Sequence, residues 1–347
     1  MKDLYLYNLN FCDAKEYRKL LILSHKMGKN KNIIQGSGGN TSIKIKNILF
    51  VKASGMMLEN ALEKEIFIPL DLNCIHEKIK NKESLSDDLE IKLNKKTKLK
   101  PSIETALHAI MPHKVVLHSH PIDVIAYSLS QDLLKRLDLL LKNYSWNFIK
   151  YERPGYPLAN LIKRKIEKKK LDILLLANHG LIVGADTVEE AEILQNKVLE
   201  LLKINPRVAE SPDFQKLKEI SNNIPNSNLP KNEIIHSLAT DKLSLKLVKL
   251  NPPYPDHVVF CGEKALILDI NNLNQKNLRN FDYCIIPKAG VLILRKESYF
   301  LETMLEMEAK IFLRLKEKST ISLLTDSQCK ELINWEAEKY RQKLLKK

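Results

Sequence analysis

The chain has 347 residues, of which 44% are hydrophobic, so it is long enough for one large domain or one domain with an extension. Its five cysteines are scattered without paired C-x-x-C spacing, which argues against a disulfide framework or a thiolate zinc site. The formal net charge of +14 comes largely from short lysine-rich stretches without arginine–aromatic interleaving, so we interpret it as a solvated surface and expect no nucleic-acid partner.

The N-terminal stretch and the hydropathy pattern bear on location. Residues 1–12 lack the basic start and long apolar segment of a secretory signal. No apolar run reaches membrane-spanning length. We therefore expect a cytoplasmic protein with no membrane partner.

The first half of the chain alternates helical and extended patterns. Residues 13–27 carry apolar residues at helical spacing. A glycine-rich loop over 35–42 leads into a predicted hairpin with strands at 43–46 and 48–51. The charged stretch 78–100 has few core residues and is predicted as a surface loop or insertion.

Two apolar runs, 115–117 and 173–177, are predicted as buried strands. The helices predicted around them start near residue 101 and cover 121–129, 133–141 and 158–170. The residues Thr187-x-x-Glu190 form a capping box, which predicts the start of a long helix ending at Leu202.

The C-terminal third has a different composition. Residues 206–230 are rich in Asn, Ser and Pro and are predicted as a linker. Beyond them, helices are predicted over 299–316 and from 327 onward, and short strands over 243–250, 258–260, 265–268, 284–286 and 291–294. These patterns divide the chain into a first domain at 1–205, the linker, and a C-terminal α+β extension at 231–347.

Three histidines follow the two buried strands. His118 and His120 lie two residues apart at the end of the first strand, where alternation points both imidazoles to the same side. His179, in Asn178-His179-Gly180, follows the second strand. Three histidine nitrogens with a fourth position open match the ligand count of a catalytic zinc site. A hydrogen-bonded core histidine is the alternative for each one alone.

Several short motifs around this strand suit an anion and an acid–base group. Backbone amides in Gly38-Gly39-Asn40, together with Ser54-Gly55 and Ser102, could form a phosphate cradle, although each residue could equally shape a turn or cap a helix. Glu104 is a candidate general acid/base or fourth zinc ligand. The alternative for Glu104 is a stabilising carboxylate in the first turn of a helix.

Together, five motifs in this order, over roughly residues 13–203, resemble the class II aldolase/adducin family. They are Gly38-Gly39-Asn40-Thr41-Ser42, Lys52-Ala53-Ser54-Gly55, Pro101-Ser102-Ile103-Glu104, His118-Ser119-His120-Pro121 and Asn178-His179-Gly180. The sequences of these motifs, and those of residues 255–258 and 335–341, are similar to the aldolase part of bifunctional rhamnulose-phosphate aldolase/dehydrogenase proteins. No glycine-rich nicotinamide fingerprint follows a strand into a helix.

The resemblance implies a three-layer α/β/α fold with a central, mainly antiparallel sheet. It implies one Zn²⁺ per subunit, or another divalent metal, and an acid/base role for Glu104. The implied metal ligands are His118, His120 and His179. The implied substrate or phosphate ligands are Gly39, Asn40, Ser54, Gly55 and Ser102. Ile103 replaces a serine of the family's phosphate site, which removes one donor.

The implied activity is reversible retro-aldol cleavage of a ketose, expected to be phosphorylated, into a hydroxycarbonyl fragment and an aldehyde. A second acid/base is required, and Tyr144 and His257 are candidates to supply it or to line the site. Tyr127, Tyr151 and Tyr156 also stay open. The resemblance further implies a homo-oligomer, with a tetramer favoured and the active sites between subunits.

Three alternatives share the scaffold. A pentose-phosphate 4-epimerase generally carries Asp at the position of Glu104, whereas a decarboxylase acting on a keto acid would share both the zinc and the Glu. A non-catalytic, adducin-like binding protein would lack the zinc histidines, all three of which are present here. Metal content distinguishes the last alternative from the enzymes.

Overall fold

The structure is a computed structural model that describes residues 9–83, 85, 90–268, 278, 280–295, 299–336 and 338–339. These residues form two compact units. The first lies within Met1–Val124 and Leu137–Leu202, and the second within Ile125–Arg136 and Lys203–Gln342. None of the described helices is both long and apolar enough to cross a membrane.

A seven-stranded sheet forms the centre of the first unit. Its strands, in chain order, are β1 (Asn40–Ile45), β2 (Ile48–Lys52), β3 (Phe67–Asp71), β4 (Val115–Ser119), β5 (Trp146–Ile149), β6 (Ile173–Leu176) and β7 (Gly180–Ala185). They lie side by side in the order β3-β2-β1-β4-β7-β6-β5. Only the β5–β6 pair is parallel, so the expectation of a mainly antiparallel sheet is confirmed.

Eight helices accompany these strands in the described part of the chain up to residue 202. They are α1 (Phe11–Lys29), α2 (Leu72–Lys80), α3 (Thr105–Ile110), α4 (Ile122–Leu129), α5 (Gln131–Leu134), α6 (Leu137–Leu140), α7 (Tyr156–Ile166) and α8 (Val188–Leu201). The capping box at Thr187 is present at the start of α8, with both of its hydrogen bonds made. The predicted hairpin is present as β1 and β2.

The two faces of the sheet carry different helices. On β2, Leu49 and Val51 pack in one apolar cluster with residues of α2, α3 and α7. Phe50 points the other way, and its ring centroid lies 4.8 Å from that of Tyr17 on α1. Helix α8 packs on the same side as α1, against β4 and β7. The first unit is therefore a three-layer α/β/α fold, as the family resemblance implies.

The charged stretch 78–100 is more buried than its composition suggests. Ile91 is fully buried, and its carbonyl accepts a hydrogen bond from the Asp71 amide at the end of β3. Lys92 is 6% exposed, because its aliphatic stem is covered while its ammonium donates to the Leu99 carbonyl at 2.7 Å. The prediction of a surface loop was therefore wrong for this part, which lies along the edge strand β3.

The second unit combines helices with a small sheet, which confirms the predicted α+β character. The helices are α9 (Phe214–Asn222), α10 (Ser237–Thr240), α11 (Lys242–Leu247), α12 (Pro255–Cys261), α13 (Tyr299–Phe312) and α14 (Asp326–Asn334). The strands are β8 (Leu266–Ile267), β9 (Tyr283–Ile286) and β10 (Gly290–Ile293), with β9 in the middle.

Two predicted strands in this unit are helices. Most of α11 lies within residues 243–250, and the helix begins after Asp241, whose side chain accepts a hydrogen bond from the Ser244 amide. Residues 258–260 lie in α12, where Pro255 occupies the first turn and Gly262, at φ +88°, follows the last residue. In both places the terminal signals outweigh the β propensity of the apolar run.

Helix α9 lies inside the stretch 206–230 that the composition predicts as a linker. It begins after Asp213, whose side chain accepts from the Lys216 amide. Its Leu217 and Ile220 are buried in a cluster with β9 and β10. The helix places two apolar side chains, three residues apart, in the small core of the second unit.

Candidate metal and acid–base site

The sheet brings the three predicted histidines together. His118 lies on β4, and His120 follows it, with its amide bonded to the Ile33 carbonyl at 2.8 Å. His179 lies in the turn between β6 and β7, next to the first residue of β7. Because β4 pairs with β7, this turn ends beside the last residues of β4.

Gly180 permits the close approach of these two segments. A Cβ atom at this position would lie 2.2 Å from the Ser119 carbonyl oxygen, a distance that no side chain tolerates. Asn178, at φ +56°, makes the preceding turn in the left-handed region that asparagine accepts better than most residues. The residues on both sides of His179 therefore suit the turn that aims its imidazole at β4.

The imidazoles converge through their Nε2 atoms. The Nε2 of His118 lies 3.3 Å from that of His179 and 3.2 Å from that of His120. All three residues are buried, and each offers a nitrogen within 4.8 Å of the other two. In the part of the chain that the structure describes, this is the one group of three or more His, Cys, Asp or Glu side chains that could hold a metal ion.

The chemistry of this group fits a divalent cation. The Nδ1 of His118 lies 3.1 Å from the Leu181 carbonyl oxygen, so Nδ1 carries the proton and Nε2 offers its lone pair to the cluster. The Oε1 atom of Glu104 lies 3.3 Å from Nε2 of His118 and 3.4 Å from Nε2 of His179. It is buried and has no hydrogen-bond partner among the described residues, so an anionic oxygen faces two of the three nitrogens.

Glu104 immediately precedes helix α3, and its second carboxylate oxygen, Oε2, is held by a hydrogen bond. The Asn40 amide donates to Oε2 of Glu104 at 2.7 Å. Burial by itself raises the pKa of Glu104, but His118, His179 and the Asn40 hydrogen bond outweigh it and lower that pKa to about 2. The carboxylate is therefore ionised at neutral pH and able to accept a proton.

His108, which the sequence analysis did not single out, also belongs to this site. Its Nε2 donates to Oδ1 of Asn40, and its Nδ1 lies 2.7 Å from Oγ of Ser42. Burial lowers the pKa of His108 to about 3, so the imidazole is neutral. The signal in the sequence is its position four residues after Glu104, one helical turn along α3.

The residues predicted to bind phosphate lie in three neighbouring segments. Gly39, at φ +62°, precedes β1, and Gly55, at φ +73°, follows β2. Ser102 lies beside Glu104, and its Oγ accepts from the Glu104 amide at 3.2 Å. The Asn40 side chain is engaged with Glu104 and His108, and its second amide hydrogen points to Oγ of Ser102 at 3.4 Å.

Lys52 ties two of these segments together. Its buried ammonium donates to the carbonyl oxygens of Ser37 and Met56, both at 2.7 Å. One carbonyl lies in the glycine-rich loop before β1, and the other lies in the loop after β2 that contains Gly55. A single positive group therefore holds both loops and places positive charge close to the predicted anion site.

Replacing Lys52 with Met is expected to lower the free energy of unfolding by about 2–4 kcal/mol, because two buried carbonyls lose a charged donor. Urea unfolding followed by circular dichroism measures this change. Lys64→Met removes an exposed lysine of the same unit and should cost much less. Equal losses in the two variants would mean that the Lys52 hydrogen bonds do not stabilise the loops.

The two other candidates lie on other segments of the chain. Tyr144 is half-buried in the loop between α6 and β5, and no hydrogen bond between described residues joins it to the histidines. His257 lies on α12 in the second unit, where its Nε2 is 3.1 Å from the buried Oε2 of Glu308. Their roles as acid/base or lining residues stay predictions.

Comparison with known proteins identifies the first unit. The family model described as the class II aldolase and adducin N-terminal domain matches residues 18–205, more than half of the chain. The chain belongs to the class II aldolase and adducin family. Class II aldolases generally use a divalent metal, and this member of the family contains a buried cluster of three histidines that could hold one.

Two curated relatives illustrate the range of the family. L-fuculose phosphate aldolase from Methanococcus vannielii is 27% identical over 199 residues, which cover 56% of this chain and 95% of that protein. An uncharacterized oxidoreductase, YuxG, from Bacillus subtilis is 29% identical over 191 residues, which cover 50% of this chain but 27% of that protein. The chain thus spans about a quarter of the length of YuxG.

Solved structures of class II aldolase domains also match. The N-terminal class II aldolase domain of a conserved protein from Thermoplasma acidophilum is 24% identical, with a TM-score of 0.46 and coverage of 53% of this chain and 90% of that one. A structure of L-fuculose 1-phosphate aldolase is 16% identical, with a TM-score of 0.40 and coverage of 60% and 87%.

Proposed function

We propose that the protein is a metal-dependent aldehyde-lyase that cleaves a ketose reversibly by a retro-aldol reaction, giving a hydroxycarbonyl fragment and an aldehyde. The observation that carries this proposal is the convergence of three histidine Nε2 atoms, two of which lie within 3.4 Å of Oε1 of an ionised Glu104, in a class II aldolase domain. Such a site offers a cation for an oxygen and a carboxylate for a carbon-bound proton.

Each group has a separate task in this proposal. His118, His120 and His179 would hold one Zn²⁺ per subunit, or another divalent ion, which would supply Lewis-acid stabilisation of negative charge on the substrate oxygens. Glu104 exchanges the proton on the carbon beside the carbonyl through Oε1, while Asn40 fixes Oε2. The leaving aldehyde oxygen needs a second proton carrier, for which Tyr144 and His257 remain the candidates.

The substrate is proposed to be phosphorylated, like the L-fuculose phosphate in the name of the Methanococcus vannielii relative. The groups proposed to bind the phosphate are Gly39, Asn40, Ser54, Gly55 and Ser102. Positive charge from Lys52 supports an anion there. Because the chain matches 27% of YuxG, the oxidoreductase activity in that name is not proposed for it.

Assembly and location follow the same proposal. We expect a cytoplasmic homo-oligomer, with a tetramer favoured, because the family resemblance implies active sites between subunits. The partner of the site is a small sugar or sugar phosphate. Chromatography with light scattering measures the mass and would contradict this expectation if the metal-loaded protein were a monomer.

The first test pairs metal content with a cleavage screen of ketose 1-phosphates on the wild-type protein. Zinc near one per chain, with aldehyde release from one ketose 1-phosphate, would support the lyase and name its substrate class. Zinc without cleavage would contradict the phosphorylated ketose and favour the keto-acid decarboxylase. No bound divalent metal, even after reconstitution, would overturn the proposed mechanism.

A further inference from the structure

Four buried polar side chains form one continuous chain of hydrogen bonds behind Glu104. Ser42 contacts His108, His108 contacts Asn40, and Asn40 contacts Glu104. The exposed fractions are 0% for Ser42 and His108, 4% for Asn40 and 5% for Glu104. Because water does not reach these groups, each depends on its neighbour for hydrogen bonding.

Glu104, immediately before helix α3, and His108 on that helix form one pair, and Asn40 and Ser42 on strand β1 form the other. The two pairs meet because the spacings of the helix and the strand match. Glu104 and His108 are separated by one turn, closed by the hydrogen bond from the His108 amide to the Glu104 carbonyl. Four residues of helix rise about 6 Å, and two residues of strand, such as Asn40 and Ser42, span about 6.6 Å. Each member of the helix pair can therefore face one member of the strand pair.

The register of the sheet turns the strand pair toward the helix. Ser42 lies opposite Val51 on β2 and Val116 on β4, and both valines pack in the cluster that contains Leu107 of α3. Asn40 lies opposite His118. Residues directly opposite each other on neighbouring strands share a face, so Asn40 and Ser42 point toward α3 and the metal ligand.

The direction of the hydrogen bonds follows from the orientation of the Asn40 amide. Its NH₂ group donates to Oε2 of Glu104 at 2.7 Å. The Asn40 oxygen then faces His108 and requires a proton on Nε2 of that imidazole. A neutral imidazole with a proton on Nε2 accepts at Nδ1, which matches donation from the Ser42 hydroxyl.

We propose that His108 is a positioning residue for the acid/base Glu104, acting through the Asn40 amide, with Ser42 fixing the tautomer of His108. This inference rests on the proposed function, since it assigns Asn40 mainly to the carboxylate. This series of hydrogen bonds holds Oε2 of Glu104, so that Oε1 stays directed at the histidine cluster. It also prevents the Asn40 amide from turning its oxygen toward the carboxylate, which would repel it.

The first measurement reads the tautomer and needs no activity. Nitrogen-15 NMR of histidine-labelled wild-type protein at pH 7, with assignment by a His108→Leu variant, should show a neutral His108 protonated on Nε2. A proton on Nδ1 would reverse the direction of all three hydrogen bonds from Ser42 to Glu104 and would overturn the inference. His113, bonded to Asp172 at 2.7 Å, provides a second buried histidine for comparison.

The second measurement uses dihydroxyacetone phosphate, the hydroxycarbonyl fragment expected from a ketose 1-phosphate. It follows proton exchange in D₂O at the hydroxylated carbon of this compound, with zinc-loaded protein. His108→Leu is expected to lower kcat for exchange by about 10- to 100-fold, the range typical of residues that orient a catalytic group. KM should change by less than about twofold, and zinc content should not change. His108→Gln, whose amide can donate to Asn40, should recover most of the rate.

Controls separate positioning from general packing. His113→Leu changes a buried histidine that does not belong to this series of hydrogen bonds, and it should keep kcat. Ser42→Ala leaves His108 in place and should cost only about two- to fivefold, which keeps the inference testable if His108→Leu does not fold. A wild-type kcat in both Ser42→Ala and His108→Leu, or zinc loss as the sole defect, would overturn the inference.

Failure of the proposed function looks different. Wild-type protein that binds zinc but does not exchange the proton would show that dihydroxyacetone phosphate is not the donor substrate. The tautomer measurement would still decide whether the hydrogen bonds from Ser42 through His108 and Asn40 donate toward Glu104. Exchange in the wild type with no response to His108 would remove the inference and leave the function.

Discussion

His118→Ala is expected to lose the bound metal and, with it, all measurable cleavage. His118 lies between the other two ligands, with its Nε2 3.2 Å and 3.3 Å from theirs, and its Nδ1 is fixed by the Leu181 carbonyl. Its removal leaves two histidines, too few for a catalytic site of three protein ligands. Zinc measured by mass spectrometry of the purified protein should fall from near one per chain to below about a tenth.

The matched control for His118→Ala is His113→Ala. His113 is also a buried histidine of the first unit, and its partner is Asp172 rather than the cluster. This variant should keep its metal, whatever it loses in stability. Full metal content in His118→Ala, together with a wild-type circular dichroism spectrum, would show that the three histidines do not form the metal site.

Glu104→Gln is expected to keep the metal and lose most of the turnover. The amide has nearly the same size as the carboxylate but cannot accept the carbon-bound proton, so kcat should fall by about 10²- to 10⁴-fold. KM should change much less, because the residue acts on the proton rather than on the anionic end of the substrate. Steady-state cleavage of the ketose 1-phosphate found in the screen measures both constants.

A second carboxylate variant tests whether the loss of kcat is specific to Glu104. Glu308→Gln changes a buried glutamate of the second unit that pairs with His257 at 3.1 Å. If this variant lowers kcat as far as Glu104→Gln does, the acid/base role does not belong to Glu104 alone. If Glu104→Gln retains kcat within about threefold, general acid–base catalysis by Glu104 is ruled out.

The part of the site that the sequence predicts is the part governed by short-range spacing. Alternation on one strand accounts for the shared direction of His118 and His120. The Thr187 capping box gives the start of α8, because a cap depends on residues within four positions. His179 was predicted from its place after an apolar run, and the pairing of β4 with β7 explains why such a residue reaches β4.

What the sequence does not predict depends on distant partners or on signals that conflict. His108 looks like an ordinary helix residue until Asn40 and Ser42 lie opposite it. Strand β5, at the end of the sheet, has only four residues and no alternation strong enough to mark it. Helix α12 contains a β-branched pair, and the proline before that pair and the glycine after it decide its structure.

The position of His118 in the sheet has a consequence for how the site opens. Strand β4 is the middle strand of seven, with β1 bonded along one side and β7 along the other. Its amides exchange with solvent only when a neighbouring strand separates, an event close to global unfolding, whereas the sheet edges fray far more often. The proposed metal ligand His118 therefore lies where the hydrogen bonds of its unit should open most rarely, and we expect release of an ion from this site to depend on opening of the sheet.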